Sequence, residues 1–177
     1  TDRVGQNDYA TGTRRLGKVV ALDVREMGGS MWEVVGAAET KQYGFAACCP
    51  GQGLGGSCIT LDPCCLAGKA REYGCHTSMI EASGMINDRM PEYTVDRGAE
   101  ALNDRFGKAL KYARVLVLRV AYKQDIDDYR ESPALNVIKN FEKRGAKVQY
   151  FDPWIPKFRF HDGTQMQSID DLTAEIV

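Results

Sequence analysis

Residues Arg114-Val-Leu-Val-Leu-Arg-Val120 form an almost unbroken run of β-branched and leucine residues. Such a run does not alternate, so both faces of the strand need cover, as in a parallel sheet packed with helices. The next residues supply that cover. Ser132-Pro133 pairs an N-cap with proline at the first helical position. Leu135, Ile138 and Phe141 space out a buried stripe, with Ala134 and Val137 beside it. Lys143 and Arg144 fall in the last turn, and Gly145 is a C-terminal stop. Lys147-Val-Gln-Tyr-Phe151 then reads as a second strand, closed by Asp152-Pro153. Strand, helix, strand is a βαβ unit. One such unit does not cover its own sheet, so the α/β domain reads as partial. Residues 154–177 read as a loop followed by a short helix from Ser168.

Upstream the periodicity becomes helical. Leu16, Val19, Val20 and Val24 predict a helix from about Val4 to Met27, broken by Gly28-Gly29-Ser30. Trp32, Val35 and Ala38 predict a short second helix. Residues 44–63 hold Gly44, Gly51, Gly53, Gly55, Gly56, Pro50 and Pro63, a density that predicts a structured loop. From Cys64 to Phe106 the chain is again helical. Ala67, Ala70 and Tyr73 share one face before Gly74; Met79, Ile80, Met85 and Ile86 begin another helix. Pro91 starts a fresh helix or kinks this one, and Val95, Ala99 and Leu102 continue its apolar face. The change from helical to α/β character falls near Lys108 to Tyr112.

Lysines and arginines number 23 against 24 aspartates and glutamates, a net charge of -1, which offers no electrostatic basis for binding nucleic acid or an anionic membrane. No apolar run approaches the ~20 residues of a membrane span, and the polar N-terminus lacks the apolar stretch of a signal peptide. All six cysteines, Cys48, Cys49, Cys58, Cys64, Cys65 and Cys75, fall in one segment. A disulfide scaffold would be shorter and spread them more evenly, so free thiols in a cytoplasmic compartment are expected. A Cys-rich metal or redox module is the rival from another class. Zinc favours Cys-x2-4-Cys pairs, and none is present, so no metal site is expected.

The segment with most chemical content is Gly53-Leu-Gly-Gly-Ser-Cys58-Ile-Thr-Leu-Asp62-Pro63. A cysteine becomes a nucleophile as a partly exposed thiolate near cationic or dipolar groups. Small residues around Cys58 admit a bulky substrate and offer backbone N–H donors to an oxyanion. Asp62 could orient or deprotonate a water. The plainer alternative is a structural cysteine beside a tight turn.

This segment resembles the catalytic loop of the UDP-glucose/GDP-mannose dehydrogenase family, G-x-G-G-x-C followed by aspartate four residues on. Further landmarks follow in family order: Trp32-Glu-Val-Val35, Thr40-Lys41, Gly44-Phe45, Lys69-Ala-Arg-Glu-Tyr-Gly74, Ile86-Asn-Asp88, Met90-Pro-Glu-Tyr93, Ala101-Leu-Asn103, Val120-Ala-Tyr-Lys123, Asp127-Asp128, Arg130-Glu-Ser-Pro-Ala134 and Asp152-Pro153. The resemblance implies a central helical dimerisation region over residues 1–110, with the catalytic-cysteine loop at 44–63. It implies a partial C-terminal, Rossmann-like UDP-binding domain over 111–177, with the N-terminal NAD-binding domain absent from the chain. The implied reaction oxidises the C6 alcohol of a UDP-hexose or UDP-N-acetylhexosamine to the uronate, with NAD as cofactor. Cys58 would be the nucleophile, through a thiohemiacetal and then a thioester, and Asp62 would serve the hydrolytic water.

Counting back along the preceding helix puts Asn7 and Arg3 at the family's asparagine and lysine; Arg3 can stabilise negative charge but does not release a proton near neutral pH. Leu54, Gly55 and Gly56 would line the sugar pocket, Tyr122 and Lys123 would contact UDP, and Arg130 would reach the NAD side. A homodimer is implied. The wording Gly-Leu-Gly-Gly-x-Cys-Ile leans toward the bacterial UDP-N-acetylhexosamine branch, while Ser57 pulls toward the UDP-glucose branch. Departures are Arg119 in place of the usual glycine, and Gln52, Thr60 and Gly68 in place of proline, proline and an aromatic. Cys48, Cys49, Cys64 and Cys65 fall where aromatics are common, which accounts for the cysteine cluster. The alternative within the resemblance is an inactive dimerisation and UDP-binding fragment that produces no NADH alone.

Overall fold

The computed structural model describes residues 2–41, 48, 50–170 and 172, with the side chains of residues 2–5, 7, 8, 11 and 57–60 outside that description. Four helices come first: α1 (Asp2–Glu26), α2 (Met31–Glu39), α3 (Ser57–Glu72) and α4 (Ser78–Phe106). Then follow β1 (Arg114–Leu118), α5 (Pro133–Lys143), β2 (Lys147–Phe151), β3 (Lys157–Arg159) and β4 (Gln165–Gln167). The architecture is α/β, a helical region followed by a Rossmann-like parallel βαβ unit.

The chain forms two compact units, residues 1–51 with 57–89, and residues 52–56 with 90–177. The change of character expected near Lys108 to Tyr112 is not where the units divide; the division falls within α4, after Arg89. The reason is packing. Val95, fully buried on the second half of α4, joins Leu110, Val137, Phe141 and Ala146 in one cluster, with Ala99 and Leu102 against it. Those α4 residues supply part of the cover that the βαβ unit needs. Pro91 lies inside α4 and does not begin a new helix.

Within the second unit, β1 and β2 pair in parallel from Arg114 opposite Lys147 to Leu118 opposite Phe151. Ser132 caps α5 by accepting the Ala134 N–H at 3.3 Å, Pro133 follows at the first turn, and Gly145 takes φ +84° as the chain leaves the helix. The buried face of α5 is Ala134, Val137, Ile138 and Phe141. Leu135, expected in the central stripe, is only half-buried, because the face turns toward Ala134 and Val137. A second cluster joins Val120, Ala134, Ile138, Tyr150, Ile155, Phe158 and Phe160. Its aromatics interlock, with Tyr150 and Phe158 centroids 4.9 Å apart and Phe158 and Phe160 edge-to-face at 4.9 Å.

Residues 154–170 differ from expectation. β3 and β4 form an antiparallel hairpin that buries Phe158, and Ser168 makes a parallel bridge to Tyr150 where a helix was expected to begin. Residues 171 and 173–177 of that expected helix lie outside the described residues.

The first unit buries charge. Arg15 and Lys18 on α1 are 4% and 2% exposed, whereas Leu16, predicted to face inward, is 62% exposed. Lys18 Nζ donates to Asn87 Oδ1 at 2.7 Å. Burial, and then the neighbouring Arg15 charge, lower the Lys18 pKa from 10.5 to about 8, with Asp88 opposing. Between those values the unfolded chain keeps a proton that the folded chain has released, so this group makes stability rise with pH from about 8 toward 10.5. Urea unfolding of the wild type and of Lys18→Met across that window should show a steeper rise for the wild type. Equal slopes would contradict the assignment.

Candidate functional site

Open α/β sheets bind ligands beyond the carboxyl ends of their strands. In this chain that edge is strained. Four described non-glycine residues have positive φ, and three of them, Arg119 (68°), Asp125 (57°) and Glu131 (58°), lie between β1 and α5. Left-handed backbone costs an L-residue roughly 1–2 kcal/mol, and such strain clusters at functional segments. Arg119 is the first residue after β1, and its N–H donates to the Phe151 carbonyl at 2.8 Å. A glycine at that position would meet the same backbone demand at lower cost.

The segment is anchored by Asp152, a carboxylate only 2% exposed. Its Oδ2 accepts the Val120 and Ala121 N–H groups at 2.8 and 3.0 Å, and Oδ1 accepts that of Trp154 at 2.9 Å. Burial pushes its pKa up. The N–H groups of Ala121, Trp154, Val120 and Ile155 outweigh that effect and hold it below the usual 3.8. One carboxylate therefore ties the exit of β1 to the exit of β2. Tyr122 and Lys123 follow directly, with the Tyr122 N–H donating to the Asp128 carbonyl at 3.2 Å. Both side chains are exposed, Tyr122 marginally so. Arg130 is also exposed. Its Nε and a terminal nitrogen each reach an Asp128 oxygen at 3.0 Å, which raises the Arg130 pKa and lowers that of Asp128.

Residues 52–56 belong to this same unit. A Cβ at position 55 would lie 2.7 Å from the Tyr122 Cβ and 3.0 Å from the Glu131 carbonyl oxygen. A Cβ at position 53 would lie 2.5 Å from the Pro133 Cβ. Side-chain-free backbone is thus what lets the glycine strip lie against the β1–α5 segment. Three expected substrate-lining residues, Leu54, Gly55 and Gly56, come together with Tyr122 in one unit.

The remaining candidates are on helices. The loop expected through Pro63 ends earlier, since α3 begins at Ser57 and carries Pro63 inside it. Glycine density stops at Gly56, and the residues from Ser57 to Asp62 include neither glycine nor proline. Positions 58 and 62 are one helical turn apart on α3. Asp62 is half-buried, while the Cys58 side chain lies outside the described residues. Arg3 and Asn7 fall on α1, and their side chains are likewise outside the description. Cys48, Cys64, Cys65 and Cys75 are free thiols, and among the described residues no three Cys, His, Asp or Glu side chains are grouped to hold a metal. Asp152 and the docking of Pro133 were not apparent in the sequence. Asp152-Pro153 signalled a strand end and Pro133 a helix start, and both stood within family landmarks, but neither reading foretold these contacts.

Comparison with known proteins adds lineage. Residues 19–89 match the central domain, and residues 116–177 the UDP binding domain, of the UDP-glucose/GDP-mannose dehydrogenase family. A UDP-N-acetyl-D-mannosamine dehydrogenase of Methanococcus maripaludis is 30% identical over 97% of this chain and 38% of its own length. A UDP-N-acetyl-D-glucosamine 6-dehydrogenase of Pseudomonas aeruginosa is 32% identical over 77% of this chain and 32% of its own. The structure of a UDP-D-ManNAc dehydrogenase from Pyrococcus horikoshii superposes with a TM-score of 0.80 at 26% identity, covering 97% of this chain and 37% of that one. The chain therefore spans well under half the length of these relatives.

Gly55→Ala should force Tyr122 or the Glu131 carbonyl to move, at a cost of about 1–3 kcal/mol. Gly36→Ala, on α2 with open space around its Cβ, should be neutral or stabilising by about 0.5–1 kcal/mol. Thermal melts of the two variants would check this, and equal melting temperatures would refute the close approach.

Proposed function

The chain belongs to the UDP-glucose/GDP-mannose dehydrogenase family, and on that premise we propose that it carries the catalytic thiol and the UDP-contacting segment of an NAD-dependent UDP-sugar 6-dehydrogenase. The observation that supports this best is the docking of Gly55 against Tyr122 and Glu131. It joins the backbone leading to Cys58 with the segment that the family resemblance assigns to UDP. The domain organisation follows that resemblance: a central helical dimerisation region, and a UDP-binding domain completed beyond the βαβ unit.

In this proposal the uridine diphosphate lies against Tyr122, with the Lys123 ammonium as a point charge for the phosphates. The hexose or N-acetylhexosamine lies along Leu54, Gly55 and Gly56, the lining that the family resemblance implies, beside Tyr122. The C6 alcohol is oxidised to an aldehyde. The Cys58 thiolate adds to the aldehyde carbon and gives a thiohemiacetal, with Asn7 and Arg3 stabilising the oxyanion. A second oxidation at the same carbon gives the Cys58 thioester. Water, deprotonated toward Asp62, attacks the thioester carbonyl; the C–S bond breaks, returning the thiolate and the uronate.

NAD, when bound, supplies the hydride acceptor for each of the two oxidations. Residues 119–132 contain no glycine, so the β1–α5 turn does not fit the glycine-rich cradle that holds a dinucleotide pyrophosphate. Arg130, aligned by Asp128, is this chain's one proposed contact on the cofactor side.

The helices of the first unit support self-association. Tyr9, Leu16, Met79 and Met85 are 76%, 62%, 85% and 69% exposed. Beside them an apolar cavity of about 700 Å³ is lined by residues including Leu16, Val20, Met31, Val35, Ile80 and Ile86. Exposed large apolar side chains beside an apolar cavity favour an interface, and the proposed occupant is a second copy of the chain. Among the described residues no helix is long and apolar enough to cross a membrane.

A uridine diphosphate bearing a terminal electrophile should label Cys58 ahead of the exposed Cys64, Cys65 and Cys75 in peptide mapping, with free UDP suppressing the reaction. Indifferent labelling of all the thiols would count against the proposal. Supplied with NAD and UDP-glucose or UDP-N-acetylhexosamines, the 177-residue chain alone should yield no NADH. Light scattering should report a dimer that Leu16→Glu together with Met79→Glu converts to monomer; a wild-type monomer would remove the self-association.

A further inference from the structure

Arg119 stands at the carboxyl end of β1 with φ +68°, and its side chain is exposed. Packing does not recover the cost of left-handed backbone for a residue lying mostly in solvent. Nor does pairing, because its guanidinium makes no ion pair or hydrogen bond with any other described residue. The other cations of the segment are Lys123 and Arg130. Asp128 takes Arg130 in a two-point ion pair, while Asp125, Asp127 and Glu131 are exposed carboxylates further along the segment. Arg119 and Lys123 therefore flank the anchored stretch Val120–Tyr122, at the strand edge where ligands of parallel sheets bind. A local rule broken without a packing gain points to function.

We propose that Arg119 is a second cationic contact for the diphosphate of the nucleotide sugar, acting with Lys123. This rests on the UDP-binding reading above and adds to it a residue that stands where the family resemblance implies glycine. Guanidinium offers paired donors to phosphate oxygens that an ammonium does not.

The test is calorimetric titration of the 177-residue chain and of Arg119→Gly with UDP and with uridine, alongside thermal melts. Arg119→Gly removes the charge and relieves the backbone. It should bind UDP about tenfold more weakly, leave uridine binding unchanged, and melt at the same or a higher temperature. Arg119→Asn, which tolerates left-handed backbone without charge, should behave alike and replaces the glycine variant if that fails to fold. Added salt should narrow the gap between wild type and variant. Equal or tighter UDP binding by the variants, with the wild type binding UDP, would overturn the role of Arg119 and leave the UDP site standing. Absence of UDP binding by the wild type would overturn both.

Discussion

One buried carboxylate organises the second unit. Asp152 gathers amide groups from two chain segments that are distant in sequence and consecutive in space, the residues after β1 and the residues after β2. Apolar packing alone would bring β1, α5 and β2 together through Val120, Ile138 and Tyr150. It would leave the first amides beyond the strands unsatisfied in a dry environment, which costs about 1–3 kcal/mol for each such group. The charge is tolerated because several donors converge on it. Below it, Tyr150 donates its hydroxyl proton to the Ile155 carbonyl at 3.1 Å, and burial together with the Asp152 charge pushes its pKa up to about 12. The hydrogen-bonded layer and the aromatic layer thus brace the same turn.

From that anchor the candidate site follows by short steps. The segment after Ala121 leaves in a fixed direction, bends through left-handed residues at Asp125 and Glu131, and ends on the Ser132 cap of α5. Its inner surface includes Tyr122, the Glu131 carbonyl and Pro133, and a Cβ at position 53 or 55 would collide with it. Strain in one segment and lack of side chains in another are therefore two halves of a single fit.

The parts legible in the sequence were those with strong local grammar. The βαβ unit declared itself through an apolar run, a Ser-Pro start and a glycine stop, and these elements appear within a residue or two of expectation. The glycine strip was visible because that composition has few structural uses. What escaped was non-local. Nothing local marks Asp152 as a carboxylate satisfied by amides some thirty residues earlier. The β3–β4 hairpin has strands of three residues, too short for periodicity to register, although Asp162-Gly163 at its tip is a turn pair. Lys18 broke the expected apolar face of α1 because its partner Asn87 lies sixty-nine residues away.

The second unit is not one continuous stretch of chain. Residues 52–56 belong to it, yet thirty-three residues of the other unit, from Ser57 to Arg89, intervene before it resumes at Met90. A polypeptide beginning at Met90 would retain every strand and the whole of α5, but would leave Tyr122 and Pro133 without the backbone that covers them. Cutting at a single peptide bond therefore cannot separate the two units cleanly. In synthesis order the strip emerges well before the surface it rests on, so its docking is a late, long-range closure. The backbone that leads to the proposed nucleophile therefore depends for its place on contacts with a segment far along the chain, the one proposed to contact the nucleotide.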